Sequence, residues 1–254
     1  MSHSPRPVLG SLLLVLALTG CQSDRDRDRP GAAETAVSPG PAPVAASQAV
    51  QTSEPADPPF DLTAQSTTDP TSPWVVVNKT HPIDPATFRP AISLVRGYQV
   101  ADVAAAALAR LLDDADDEDL GFKIASAFRS YEYQRSVHDD LVASRGVEAA
   151  DRVSARPGFS EHQTGLAVDL VTPADPSCDF ELCFAGTPGG TWLARHAWEY
   201  GFIVRYTAGN EATTGYEAEP WHVRFVGRPL AAAMRGDGIT TLEEFFDVPG
   251  GDYR

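Results

Sequence analysis

An aspartate stands inside an apolar run in FSEHQTGLAVDLV (residues 159–171): Asp169, between Val168 and Leu170. The run reads as a buried strand, and an unpaired carboxylate there is costly, so Asp169 needs a partner. A structural hydrogen bond, an arginine or a metal ion would each serve. His162 lies seven residues upstream, and His222 lies in EPWHVR (residues 219–224). Two imidazoles and one carboxylate make a typical catalytic zinc set, with a fourth position left for water. A metal at such a set lowers the pKa of its water to about 7. A general base must then take the proton, and Glu219 is the candidate. In a regular strand Glu219 and His222 would face opposite sides. Pro220 cannot join a regular ladder, so a bend there would bring both to one metal. Arg129, in AFRSY (residues 127–131) at a strand-to-helix junction, is the candidate donor to a developing oxyanion. On residue types alone, the ligand and structural readings of His162, Asp169 and His222 stand level. His81, His138 and His196 read as ordinary core or surface histidines, and Trp221 as core.

Composition narrows the classes. Net charge is −15, and Lys79 and Lys123 are the only two lysines of the 254 residues. With no lysine- or arginine-rich run, nucleic acid is excluded as an expected partner. The first residues read as a targeting segment: a short n-region with Arg6, an apolar stretch over 8–18, then LTGC ending at Cys21. The stretch is short for a bilayer span. Small residues before a cysteine resemble a bacterial lipobox, so residues 1–20 are expected to be a lipoprotein signal peptide and Cys21 the lipidated residue. The alternative is an ordinary secretory signal. Either way the mature chain is expected outside the cytoplasm, and on the lipobox reading it is anchored to the bacterial membrane through Cys21. There Cys178 and Cys183, in PSCDFELCF, are expected to form a short-loop disulfide. A metal pair is the weaker rival, because two thiolates without further cysteines lack the usual zinc pattern.

Residues 21–72 are rich in Pro, Ala, Ser, Thr and Gly and poor in large apolar residues, which predicts a disordered tether. Such a tether would reach roughly 40 Å. The folded domain is expected over 73–254, beginning with a strand at WVVVN (residues 74–78). Apolar spacing predicts helices over 101–112, 131–143, 147–153 and 190–200. The acidic run after 112 reads as a solvated turn, since it lacks the spacing and glycine of a calcium loop. Short strands are expected at 122–128, 166–171, 202–206 and 221–225. Thr240-Thr241-Leu242-Glu243 resembles a capping box opening a last helix. Helices and strands intersperse without regular βαβ alternation, so the expected class is α+β, a small mixed or antiparallel sheet flanked by helices.

SEHQTGLAVDL (residues 160–170) followed by EPWHVR resembles the VanY-type D-alanyl-D-alanine carboxypeptidases, of the LAS zinc metallopeptidases with the hedgehog/DD-peptidase fold. Every position of the pattern S-x-H-x-x-G-x-A-x-D…E-x-W-H is met. Flanking segments match as well, among them FRSY with Gln134, GTPGGTWL, YGFIVRY and TGY, over about residues 74–228. The resemblance implies that His162, Asp169 and His222 bind Zn2+, that Glu219 is the base, and that Arg129 holds the scissile carbonyl. Ser160, Gln134 and Tyr206 match positions that line the pocket for the terminal D-alanine. The implied activity removes a C-terminal D-alanine, across a D-Ala-D-Ala or an L,D bond, from peptidoglycan stem peptides by attack of a metal-activated water. Those peptides are the implied substrate partner; the membrane is expected as a partner through the N-terminal lipid anchor, and the chain is expected to be a monomer. Thr207 stands where relatives often have Pro, and Phe128 where many have Tyr. Two rivals remain. A serine peptidase of the penicillin-binding type needs Ser-x-x-Lys, and Val76 and Leu120 stand three residues before the lysines. A catalytically inactive peptidoglycan-binding module would tolerate loss of a ligand or the base, yet all four are present.

Overall fold

The structure, a computed structural model, describes residues 60–253. The expected signal peptide, Cys21 and the tether as far as residue 59 lie outside the described residues. None of the described helices is long and apolar enough to cross a membrane.

A two-stranded hairpin of β1 (Ile92–Val95) and β2 (Tyr98–Ala101) comes first. It turns through Arg96 and Gly97, both at positive φ, the geometry that two-residue hairpin loops favour. Helix α1 (Asp102–Asp117) follows, then β3 (Lys123–Ser126), α2 (Tyr131–Arg145) and α3 (Val147–Val153). Beyond these come β4 (Ala167–Val171), α4 (Pro188–His196), β5 (Phe202–Tyr206), α5 (Glu211–Thr214) and β6 (Glu219–Phe225). Helices α6 (Arg228–Asp237) and α7 (Leu242–Phe246) close the described chain. The main sheet has the order β3-β4-β6-β5, antiparallel throughout. This is the expected α+β class.

Alternation along the strands sorts the two faces. Val168 and Leu170 of β4 and Val223 and Phe225 of β6 enter the larger core with Leu108, Leu111 and Leu112 of α1 and Leu193 of α4. The intervening residues, Asp169, His222 and Arg224, therefore face the other side. That face is also closed, by a second core of Trp74, Val76, Leu230, Met234 and Leu242 beside the polar groups.

Several expectations need correction. Residues 74–78 form no strand: Val75 and Val77 enter the first core while Trp74 and Val76 enter the second. The extended segment finds side-chain partners instead of a ladder, since Arg224 Nη2 donates to Pro73 O (3.1 Å) and Val75 O (2.8 Å). The tether was expected to run to residue 72, but residues 60–72 belong to the folded unit. Phe60 packs its ring on Trp74 (5.2 Å) and Phe245 (5.7 Å), and Asp69 caps a turn by accepting from Thr71 N (2.8 Å). One aromatic anchor and local turns order a segment whose composition alone argued for disorder. The acidic run is not a turn up to Asp117 but the last part of α1. Arg96, brought over by the hairpin, pairs with Asp113 (2.9 Å) and Asp116 (2.8 Å) and offsets the repulsion. The final helix is capped one residue later than expected, with Thr241 Oγ1 accepting from Glu244 N. The expected Cys178–Cys183 disulfide is present, with Cα atoms 5.3 Å apart.

Candidate metal centre and active site

Asp169 and His222 are direct cross-strand partners in the β4–β6 ladder, so their side chains rise side by side from one face. His222 Nδ1 lies 2.9 Å from Asp169 Oδ1. His162 arrives from a 3-10 turn, Glu161–Thr164, that ends at Gly165. Gly165 sits at φ +69, and a Cβ there would come within 2.8 Å of Ala101 N, so only glycine fits the reversal into β4. The turn sets His162 Nε2 3.2 Å from Asp169 Oδ2. One donor atom from each of the three residues lies within 4.8 Å of the others, and all three are buried.

The surrounding hydrogen bonds decide which nitrogens face the centre. His162 Nδ1 donates to Ala127 O (2.8 Å), which leaves Nε2 with its lone pair toward Asp169. His222 turns Nε2 toward Glu161 Oε2 (3.4 Å), which leaves Nδ1 for the centre. Burial, then the Arg129 charge, lower the His162 pKa to about 4, so its ring is neutral. Burial would lower His222 too, but the Asp169 and Glu161 carboxylates outweigh it and raise the pKa to about 9. Asp169 is held well below the carboxylate range by the two imidazoles despite its burial. The donor set fits a divalent ion with a nitrogen-and-oxygen preference, zinc above all.

Glu219 sits at the start of β6, where the ladder is irregular. Partners step from Val204↔Val223 to Tyr206↔Glu219, so β6 advances four residues where β5 advances two. This bulge, at Pro220, brings Glu219 to the same side as His222, with Oε2 3.7 Å from His222 Nδ1. Burial, opposed by His222 and reinforced by Asp169, raises the Glu219 pKa to about 7. A carboxyl poised there suits a group that takes and returns a proton.

Arg129 Nη2 lies 3.8 Å from Asp169 Oδ2, and its Nε is buried with no hydrogen-bond partner among the described residues. A cavity of about 50 Å³ brings Arg129, Gln134, Ser160, His162, Tyr206, Glu219 and His222 to one wall system. Gln134 Nε2 donates to Ala155 O (2.7 Å), while its Oε1 is buried and unpartnered. The Tyr206 ring lies 5.0 Å from that of His222. A larger apolar cavity of about 510 Å³, between α4, β5 and α6, shares only Tyr206 with this one and has Arg235 as its sole charged group. The chemistry is in the smaller cavity.

Sequence reasoning missed the support behind His222. Glu161 is fully buried, and its Oε1 accepts from Arg205 Nε (2.9 Å) and Arg224 Nη1 (2.7 Å). Arg205 Nη2 continues to Glu243 Oε1 (2.6 Å), which also accepts from Asn78 Nδ2 (2.9 Å). Burial would raise Glu161, but the two guanidinium groups hold it far below the usual range. The signal was present in the sequence. Arg205 in FIVRY and Arg224 in WHVRF are charges inside apolar runs, the same anomaly that singled out Asp169.

The sequence pattern of the VanY D-alanyl-D-alanine carboxypeptidase family matches residues 97–228. The putative carboxypeptidase YodJ of Bacillus subtilis is 42% identical over 146 residues, 57% of this chain and 52% of YodJ, so this chain spans about half of that relative. The solved LdcB LD-carboxypeptidase superposes with a TM-score of 0.64 at 33% identity, over 71% of this chain and 89% of that one. A VanY D,D-pentapeptidase from a VanB-type resistance cassette, solved in complex with Zn(II), gives 0.59 at 31% identity, over 69% and 98%. With the family's pattern matched over half of this chain and that segment folded around a His-Asp-His centre, the chain belongs to the VanY D-alanyl-D-alanine carboxypeptidase family.

Proposed function

We propose that the chain is a zinc carboxypeptidase that removes the C-terminal D-alanine from peptidoglycan stem peptides. The observation that carries the reading is the convergence of His162, Asp169 and His222 donor atoms within 4.8 Å, beside a buried Glu219. His162 Nε2, one Asp169 oxygen and His222 Nδ1 would hold the ion. Zinc there would supply Lewis acidity, acidifying a water and polarising the scissile carbonyl. Glu219 would take a proton from the attacking water and return it to the leaving amine. Arg129 places its guanidinium where charge develops on the carbonyl oxygen. Ser160, Gln134 and Tyr206 bound the space for the terminal residue.

The family name supports the D-Ala-D-Ala bond, and the likeness to an LD-carboxypeptidase supports the L,D bond. Mass analysis of muropeptides digested by the purified chain separates them. Loss of one alanine from pentapeptides marks the first, and loss from tetrapeptides the second. No mass change in either would refute the proposal. Removal of activity by a chelator, its return with zinc, and indifference to a β-lactam would distinguish this chemistry from a serine peptidase. We also propose that the chain is a monomer, lipidated on Cys21 and held outside the cytoplasm on the bacterial membrane. Labelling by a palmitate analogue that survives the change Cys21→Ala would refute the anchor.

A further inference from the structure

The larger cavity, of about 510 Å³, lies along a free edge of the main sheet. Strand β5 pairs with β6 alone, so its other side ends the sheet. The cavity touches Phe202, Ile203 and Val204 in succession. Phe202 and Val204 pack in the first core and Ile203 in the second, so their side chains leave opposite faces. A space in contact with both faces of one strand lies against its edge. Helix α4 flanks that edge on the side of the first core, through Leu193, and α6 on the side of the second, through Met234.

The ladder fixes which backbone groups turn outward. Phe225 N donates to Leu166 O, beside β4, and Val226 N to Gly201 O, beside β5. Alternation then turns Arg224 toward β5, where it faces Ile203, and turns the N–H and C=O of Phe202 and Val204 away from β6. Phe202 is fully buried, whereas Val204 is half-buried and lines the cavity. Neither outward group of Val204 has a hydrogen-bond partner among the described residues. A strand edge left open in this way is a template for another strand.

We propose that β5 is a docking edge for an extended segment of a partner protein, which adds a strand by exchanging main-chain hydrogen bonds with Val204 and lays apolar side chains between α4 and α6. The proposal does not depend on the carboxypeptidase reading. The surroundings choose this occupant. The walls, among them Leu182, Leu193, Ile203, Met234 and Ile239, are apolar and suit apolar side chains on both faces of the added strand. A hydrocarbon would match those walls but leave the Val204 groups unpaired, at a cost that a peptide avoids. The two flanking helices admit a single strand and keep out the β5 of a second copy, which carries the same helices. Arg235 is the one charged residue of the lining, with its guanidinium 5.0 Å from the Trp198 ring, and it favours an acidic residue near one end of the segment.

The test titrates the full chain with the acetylated, amidated hexapeptide Ala-Val-Ala-Val-Ala-Asp by calorimetry and follows amide hydrogen exchange by NMR. Saturable binding is expected, with slowed exchange at the Val204 amide and no change at Ile203, which already faces Arg224 in the ladder. N-methylation of the peptide on alternate residues should weaken binding about tenfold in one phase and little in the other, because one set of its amides faces β5. Val204→Pro removes the outward N–H, a change that edge strands tolerate, and should cost about tenfold as well. Ala194→Trp, which fills the cavity from α4, should abolish binding; melting curves report whether both variants are folded. Arg235→Gln should cost about two- to fivefold against this peptide and nothing against its asparagine form. No saturable binding to the full chain overturns the inference, whether the cavity stays open or is held by the chain's own residues. Binding with equal losses in the two N-methylated phases, with none in either, or with unchanged exchange at Val204 overturns it too, because the cavity would then take apolar groups without strand pairing.

Discussion

Replacing Glu161 by Gln separates two jobs that one buried carboxylate performs. Its Oε1 neutralises Arg205 and Arg224, and its Oε2 holds His222 Nε2, so that Nδ1 is presented to the metal. Both guanidinium groups are fully buried. Breaking a buried pair by removing one partner costs about 3–5 kcal/mol, because the charge left behind stays desolvated. For a folded unit of this size each kcal/mol moves Tm by roughly 2–4 °C, so Glu161→Gln should lower the apo Tm by about 6–20 °C. Loss of an outer carboxylate from a ligating histidine weakens metal binding about 10- to 100-fold. Calorimetric melts of the apo chain read the first effect, and competition with a chromophoric chelator reads the second. Glu243→Gln is the control: it disturbs Arg205 without touching His222, and should lower Tm while leaving zinc affinity in place. If Glu161→Gln lost stability but bound zinc as the wild type does, the orienting role would be refuted; an unchanged Tm would refute the burial argument as well.

Glu219→Gln should keep zinc and lose about 10²-fold or more in kcat, the ordinary share of a general base, and near-normal turnover would remove Glu219 from the mechanism. Acid should unfold the chain through Glu161. Its folded pKa lies far below the unfolded value of about 4.3, so its contribution is complete above about pH 5 and is lost as pH falls toward the folded pKa. Denaturant midpoints taken from pH 6 down to pH 3 should decline accordingly, and decline less in Glu161→Gln.

The site was more legible than the frame around it, for a physical reason. Burying Asp169 requires a partner, and two histidines at suitable distance in the chain supplied the hypothesis that the β4–β6 register makes geometric. The bulge that re-aims Glu219 was foreshadowed by Pro220, which cannot serve a ladder. Glu161 is hidden in the sequence as the variable position of S-x-H, although Arg205 and Arg224, cations inside apolar runs, require an anion. In the frame, WVVVN had the composition of a strand, yet its alternation serves two cores rather than two faces of a sheet. Helix α6, absent from the expected helices, is nonetheless marked in the sequence by Pro229, which opens it, and Gly238, which stops it in the left-handed conformation. The hairpin of β1 and β2 has four-residue strands whose pairing depends on Arg96 adopting positive φ, which its residue type does not announce. Phe60 shows the limit of composition: its ring against Trp74 and Phe245, with local turns, holds a segment (residues 61–72) in which nine of twelve residues are polar.

Diffraction from zinc-soaked crystals of the chain, collected on both sides of the zinc absorption edge, tests the central claim most directly. The account predicts one anomalous peak about 2.0–2.2 Å from His162 Nε2, an Asp169 oxygen and His222 Nδ1, with Glu219 near it but not required to hold it. A peak elsewhere, or none at a centre where those three side chains keep their places, would contradict it.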